Sequence, residues 1–155
     1  MSRRDRTRAR ELALQALYQA DLVDEGCLAE IESTLRDDGH PAEVVDYAFD
    51  LARGVRARRA EHDALIAAAA QHWTVDRMAV VDRNILRMGI EELLLHPEVP
   101  PRVVINEAIE MAKRFSTSSS GAFVNGVLDR VRRDLQAAGR LSVEPRPVAA
   151  GDGGA

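Results

Sequence analysis

Cysteine is almost absent from this chain. Cys27 stands alone, so no disulfide can close within it, and a reducing, cytoplasmic setting is expected. No apolar run approaches the roughly 20 residues a membrane-spanning helix requires. The basic start is not followed by an unbroken apolar stretch, because Glu11, Gln15 and Gln19 interrupt it, which argues against a secretory signal. Lysine is represented by Lys113 only, so arginine carries nearly all of the positive charge. The four histidines, His40, His62, His72 and His96, are never spaced i, i+3 or i, i+4, and no second cysteine assists them, so no metal is expected. Glycine-rich phosphate loops and dinucleotide fingerprints are missing as well. The carboxylate pairs Asp37-Asp38 and Glu91-Glu92 fall at a helix end or on a polar helix face, where solvated charges are the rule. No nucleophile stands with a base and an orienting group. The chain is therefore expected to be neither an enzyme nor a cofactor carrier.

What is present is a charge asymmetry. Arg3, Arg4, Arg6, Arg8 and Arg10 face Asp5 alone in the first ten residues, a local excess of +4 in a chain whose net charge is −4, leaving −8 on the remainder. A basic arm on an acidic body is unsuited to indiscriminate nucleic-acid binding, and any RNA must be held on one face. The competing reading of such an arm is a solvated tail.

The length of 155 residues suits one domain, and its periodicity is helical throughout. A first helix is predicted from about Arg6 to Val23, with Leu12, Ala13, Ala16, Leu17 and Ala20 inward and Arg8, Glu11, Gln15 and Gln19 on a polar stripe. The arm continues it and presents its arginines at a bundle end. Leu28, Ile31 and Leu35 mark a short second helix stopped by Asp37-Asp38-Gly39, and Pro41 opens a third with Val44, Ala48, Leu51 and Val55. Residues 55–73 form either one bent helix or two helices meeting near Arg56; Gly54 weakens a helix there by about 1 kcal/mol relative to alanine. Thr74 or Asp76 caps the next element, which carries Met78, Val81, Ile85, Met88 and Leu93 and ends at His96-Pro97. From residue 140 onward the chain is rich in Ala, Gly and Pro without a stripe, so a domain over 1–139 with a disordered tail over 140–155 is predicted.

The most informative stretch is Val103 to Val131. Pro100 and Pro101 suit a helix start, and Ile105, Ala108, Ala112 and Phe115 make one stripe. After Ser116-Thr117-Ser118-Ser119-Ser120, a second stripe of Val124, Val127, Leu128, Val131 and Leu135 closes at Gly139. The serine run reads either as a turn that supplies capping hydroxyls or as a phosphate site at a helix start. Phe123 is either core or, since the chain has only one Trp, two Tyr and three Phe, an aromatic reserved for stacking on a base. Asn125-Gly126 is costly within a helix; Gly126 permits a close helix approach, or Asn125 touches RNA.

The blocks Asn106-Glu107-Ala108-Ile109-Glu110-Met111-Ala112-Lys113 and Phe123-Val124-Asn125-Gly126-Val127-Leu128-Asp129 resemble the C-terminal signature of the NusB family of transcription antitermination factors. Arg8-Ala9-Arg10-Glu11-Leu12 through Gln19 is similar to that family's basic arm and first helix. Val81-Asp82-Arg83-Asn84-Ile85-Leu86-Arg87, Glu92-Leu93 and Val99-Pro100 follow in the family's order, so the likeness spans most of residues 6–131. The resemblance implies an all-α, compact bundle of about seven helices in two sub-bundles. It implies binding of the boxA element of ribosomal RNA leader transcripts together with ribosomal protein NusE. That pair joins other Nus factors on RNA polymerase and lets it read through terminators.

Carried over by position, Arg6, Arg8 and Arg10 match the family's basic arm, and Lys113, Ser119 and Phe123 match its RNA-facing C-terminal motifs, with Asn125 a further RNA candidate. Asp82 matches an acidic residue facing NusE, with Arg87 further along the same helix. This chain departs from the family in Ser118-Ser119-Ser120-Gly121-Ala122, which is uncharged where relatives often carry acidic and basic residues. The rivals are a protein adaptor or homodimer without direct RNA binding, and a domain related to the NusB-like part of RNA 5-methylcytosine methyltransferases. The latter is the less expected, since residues 140–155 carry no Rossmann-like pattern.

Overall fold

Ser2 starts the first helix with a reciprocal cap: its hydroxyl accepts from the Asp5 N–H at 3.1 Å, and the Asp5 carboxylate accepts from the Ser2 N–H at 3.3 Å. Caps of this kind contribute about 1 kcal/mol, which draws the arginine-rich arm into helix from Arg3 onward. A computed structural model describes residues 1–23, 26–71 and 73–141. Its helices are α1 (Arg3–Leu22), α2 (Cys27–Asp37), α3 (Ala42–Ala57), α4 (Arg59–Ala69), α5 (Val80–Leu95), α6 (Pro101–Phe115) and α7 (Ser120–Ala137), with a single 3₁₀ turn at Val75–Arg77. No strand occurs among the described residues, in agreement with the all-α expectation.

Helices α1, α2 and α3 pack on one another, while α4, α6 and α7 gather around α5. The two groups meet where α1 and α3 cross α5. Leu12, Leu17, Phe49, Leu51, Ile85, Leu86, Ile90, Leu128 and Leu135 are sealed in one continuous core. At about 25 cal/mol per Å² of apolar surface buried, these residues are the main source of stability.

Several local expectations change in the folded chain. Of the two readings of the segment after Val55, the structure takes the second, two helices, which meet at Arg58, and Gly54 lies inside α3. Gly54 is needed there because a Cβ would collide with the carboxylate of Glu91 on α5. That carboxylate pairs with Arg58 and stands 3.1 Å from His62 Nε2, so both sides of the break are stitched to α5. Thr74 precedes the 3₁₀ turn and Asp76 lies within it, while α5 begins only at Val80; Met78 is buried ahead of that helix. The close approach assigned to Gly126 does not occur, since a Cβ there would meet nothing within 4 Å. Gly89 serves this purpose instead, its added Cβ falling 2.9 Å from Leu128. His72 and residues 142–155, most of the expected tail, lie outside the described residues. Arg140 and Leu141 still belong to the fold: both N–H groups return to the Leu135 carbonyl at 2.8 and 3.3 Å, with Gly139 at φ +73°. Among the described residues no helix is long and apolar enough to cross a membrane.

Candidate nucleic-acid interface

A helix turns 100° per residue, so folding the arm into α1 divides its arginines between faces. Arg3, Arg6 and Arg10 fall on the side toward the start of α6, and Arg4 and Arg8 on the side of Glu11 and Gln15. Arg3, Arg6 and Arg10 line a groove of about 370 Å³ with Pro100, Arg102, Val103 and Asn106. Arg6 is half-buried, its guanidinium 5.6 Å from the Tyr47 ring centroid and 3.9 Å from Glu98. Arg8 projects outward, with Glu11 at 3.8 Å.

Arg10 differs from its neighbours. Its side chain is 3% exposed; Nε donates to both Glu92 oxygens at 2.9 and 3.1 Å, Nη2 to Glu92 at 2.6 Å and Nη1 to Glu107 at 2.9 Å. Burial opposes its charge, but the Glu92 hydrogen bond and the nearby carboxylates prevail and raise its pKa above the usual arginine value. Tyr47 donates to Glu92 at 2.7 Å, and its own pKa is pushed up by burial and then by the Glu92 charge. Arg10 was expected to stand with Arg6 and Arg8 on the RNA face. Folding instead places it inside the chain, where it fastens α1 to α5 and α6.

At the other end of α6, Lys113 and Ser119 are exposed, and Phe123 is half-buried against the core. Lys113 crosses the first turn of α7 so closely that a Cβ on Gly121 would lie 3.3 Å from its Cγ. Asn125 is exposed, one turn beyond Gly121. The structure thus sets Lys113 against the first turn of α7 at Gly121, with Ser119 at the cap of that helix, while Phe123 lies about 200° round the helix from Gly121. Long side chains link α6 to α1 across a gap between helices whose backbones barely meet: Thr7 and Arg10 bond Glu107, and Arg114 donates to Glu11 at 3.0 Å.

Asp82 and Arg87 are placed differently from the partner-facing expectation. Asp82 is 9% exposed and accepts from Ser116 Oγ at 2.6 Å and Ser120 Oγ at 3.0 Å. Arg87 is buried against Asp63 (2.7 and 3.0 Å) and Asn84 (3.4 Å), and Asn84 in turn donates to Asp21 at 2.9 Å. Both side chains are occupied within the chain. The surface that the sequence reading missed is apolar: Tyr18 and Phe115, 41% and 42% exposed, line a groove of about 440 Å³ with Leu14, Val81, Gln15 and Gln19. Leu14, Tyr18 and Leu22 recur at i, i+4, i+8, a row that starts at the buried Leu14 on the edge of the core and runs outward to the exposed Tyr18 and Leu22, a signal present in the sequence. Phe115 ends α6, where the stripe outruns the core that Ile105, Ala108 and Ala112 fill.

A helical bundle with an arginine-lined groove at the start of α6, hydroxyls and a lysine toward its other end, and an apolar patch presents the kinds of surface that suit a polyanion and another protein. The NusB family model matches residues 7–133. The chain is 51% identical to the transcription antitermination protein NusB of Anaeromyxobacter dehalogenans over 137 residues, 87% of this chain and 95% of that one. It is 49% identical to the NusB of Desulforapulum autotrophicum over 131 residues, 83% and 91% of the two chains. The T. maritima NusB structure superposes with a TM-score of 0.77 at 36% identity, covering 83% of this chain and 91% of that one. A crystal structure of antitermination factors NusB and NusE in complex with dsRNA matches with a TM-score of 0.73 at 29% identity, covering 86% and 99%. The chain belongs to the NusB family, and the relatives named above are transcription antitermination proteins.

Proposed function

We propose that this chain is a cytoplasmic antitermination factor that holds boxA RNA of ribosomal RNA leader transcripts jointly with ribosomal protein NusE, within an assembly of Nus factors on RNA polymerase. The observation that carries the reading is the gathering of Arg3 and Arg6 beside Arg102 and Asn106 at the start of α6, in a chain of the NusB family. Arg6 and Arg8 contact phosphates, which positions RNA without reading its sequence. Arg10 supports them from beneath. Lys113, Ser119, Phe123 and Asn125 form the second contact region, where an unpaired base meets the half-buried Phe123 edge. Neither a cofactor nor a metal takes part.

NusE is assigned to the apolar groove of Leu14, Tyr18, Val81 and Phe115, with Asp82 and Arg87 supporting α5 from behind rather than reaching out. The same patch favours the second reading, an adaptor or homodimer that does not touch RNA, because exposed apolar surface marks protein contacts. A titration of boxA RNA with and without purified NusE decides between them, run beside the same RNA as a duplex. Binding of the single strand that tightens with NusE supports the proposal. Complex formation with NusE, or sedimentation as a dimer, without any RNA affinity establishes the adaptor.

A further inference from the structure

Asp82 is the third residue of α5, a position from which an acidic side chain ordinarily folds back onto its own helix start. Here it reaches away. Its two oxygens accept from the hydroxyls of Ser116, which follows α6, and Ser120, which opens α7, at 2.6 and 3.0 Å. The Ser120 hydroxyl is also 3.3 Å from the Thr117 N–H, 2.8 Å from the Thr117 hydroxyl and 3.0 Å from that of Ser116. One carboxylate therefore grips both ends of the α6–α7 turn and orders the hydroxyls between them. Ser118 and Ser119 are left facing outward. The turn shape that results carries Lys113 across Gly121 and sets the Phe123 N–H 3.3 Å from the Ser119 carbonyl. Hydrogen bonds to a carboxylate are about twice as strong as neutral ones. A turn built of serines lacks a stiff alternative to hold it.

We infer that Asp82 is a positioning residue for RNA: it sets the uncharged serine turn so that the first turn of α7, with Ser119 at its cap, lies against Lys113, and it acts through Ser116 and Ser120 rather than by touching RNA or the protein partner. This rests on the reading that the start of α7 meets RNA. In a chain whose turn offers no charge of its own, the shape fixed by Asp82 takes over the task of presenting the one lysine.

The test uses the full chain, a single-stranded boxA oligonucleotide and purified NusE, at a temperature where circular dichroism shows every variant folded. Asp82→Asn and the pair Ser116→Ala/Ser120→Ala should each weaken RNA by roughly fivefold to tenfold, the scale of one or two ordered hydrogen bonds. The triple variant should be no weaker than either, and Lys113→Ala should cost less in the Asp82→Asn background than in the native one, since coupled groups are non-additive. NusE affinity measured without RNA should stay within about twofold, because Asp82 is not at that surface. If Lys113→Ala and Phe123→Ala weaken RNA while the Asp82 and serine variants leave it unchanged, the inference fails and the RNA reading stands. Additive losses in the triple variant, or loss of NusE binding by Asp82→Asn, likewise overturn it. If Lys113→Ala and Phe123→Ala themselves have no effect, the reading of this end as an RNA site falls and the inference with it. Should Asp82→Asn not fold, the serine pair and its cycle with Lys113→Ala decide alone.

Discussion

Arg10 and Glu92 form a buried, two-pronged ion pair, Nη2 to Oε2 at 2.6 Å with both side chains 3% exposed, joining residues 82 positions apart. Glu107 and Tyr47 complete the shell around them, so the charges are satisfied on every side that water cannot reach. Within one arm, an arginine like Arg8 and an arginine like Arg10 thus belong to different physical regimes.

Arg10→Ala should destabilise the fold by about 3–5 kcal/mol, because it leaves the Glu92 charge buried without its partner. Arg8→Ala should change stability by less than about 0.5 kcal/mol, as expected of an exposed side chain with one loose neighbour. Urea unfolding of the two variants measures the contrast. Equal losses would show that Arg8 is docked or that Arg10 is not.

Glycine substitutions should separate by location. Gly54→Ala and Gly89→Ala should cost roughly 1–3 kcal/mol, since the new methyl groups meet Glu91 and Leu128. Gly126→Ala has open space before it and should stabilise α7 by about 0.5–1 kcal/mol through its helix preference. Thermal melts read both signs. A destabilising Gly126→Ala would mean that a neighbour covers this face.

Stability should fall on acidification partly through Glu91. Burial would raise its pKa, but His62 and Arg58 outweigh burial and hold it below the ordinary 4.5. A carboxylate depressed in the folded state contributes stability that is present above its unfolded pKa and is lost as pH falls through the folded one. Glu91→Gln should therefore be less stable at neutral pH yet lose less between pH 5 and pH 3, a window set on the order of that ordinary value. Urea midpoints across this range give the comparison; parallel acid limbs for the two proteins would contradict it.

RNA binding through the arm should be salt-dependent. Each phosphate neutralised on a single strand contributes roughly −0.7 to the slope of log affinity against log salt, so Arg6→Ala/Arg8→Ala should flatten it by about one to one and a half units. Affinities for boxA and for a scrambled strand should fall alike. Phe123→Ala should instead lower boxA affinity and leave the slope nearly intact. An arginine pair whose removal keeps the full slope would be a solvated tail.

Helix existence was legible in the residues because it is a local property. The inward stripes of α1, α3 and α7, the stop at Gly39 with φ +86° and the close at Gly139 lie where spacing and breakers put them. The family's two C-terminal blocks could likewise be read directly, since contiguous residues on one helix keep their relative placement. The break at Arg58 could not, because it depends on a carboxylate from α5 that presses on Gly54.

The candidate site divides in the same way. Spacing alone says that Arg6 and Arg10 share a face of α1 and that Arg8 lies round the side, and the amino-acid sequence by itself determined that much, together with the helices and the family. Which face becomes interior was settled only by packing. Arg10 turns inward because Glu92 and Glu107 arrive from α5 and α6; Asp82 turns inward because the hydroxyls of Ser116 and Ser120 come within reach; Tyr18 and Phe115 stay outside because no helix among the described residues covers them. Burial and pairing of charge are relations between segments distant in the chain, and helical periodicity, which extends only a few residues, carries no information about them.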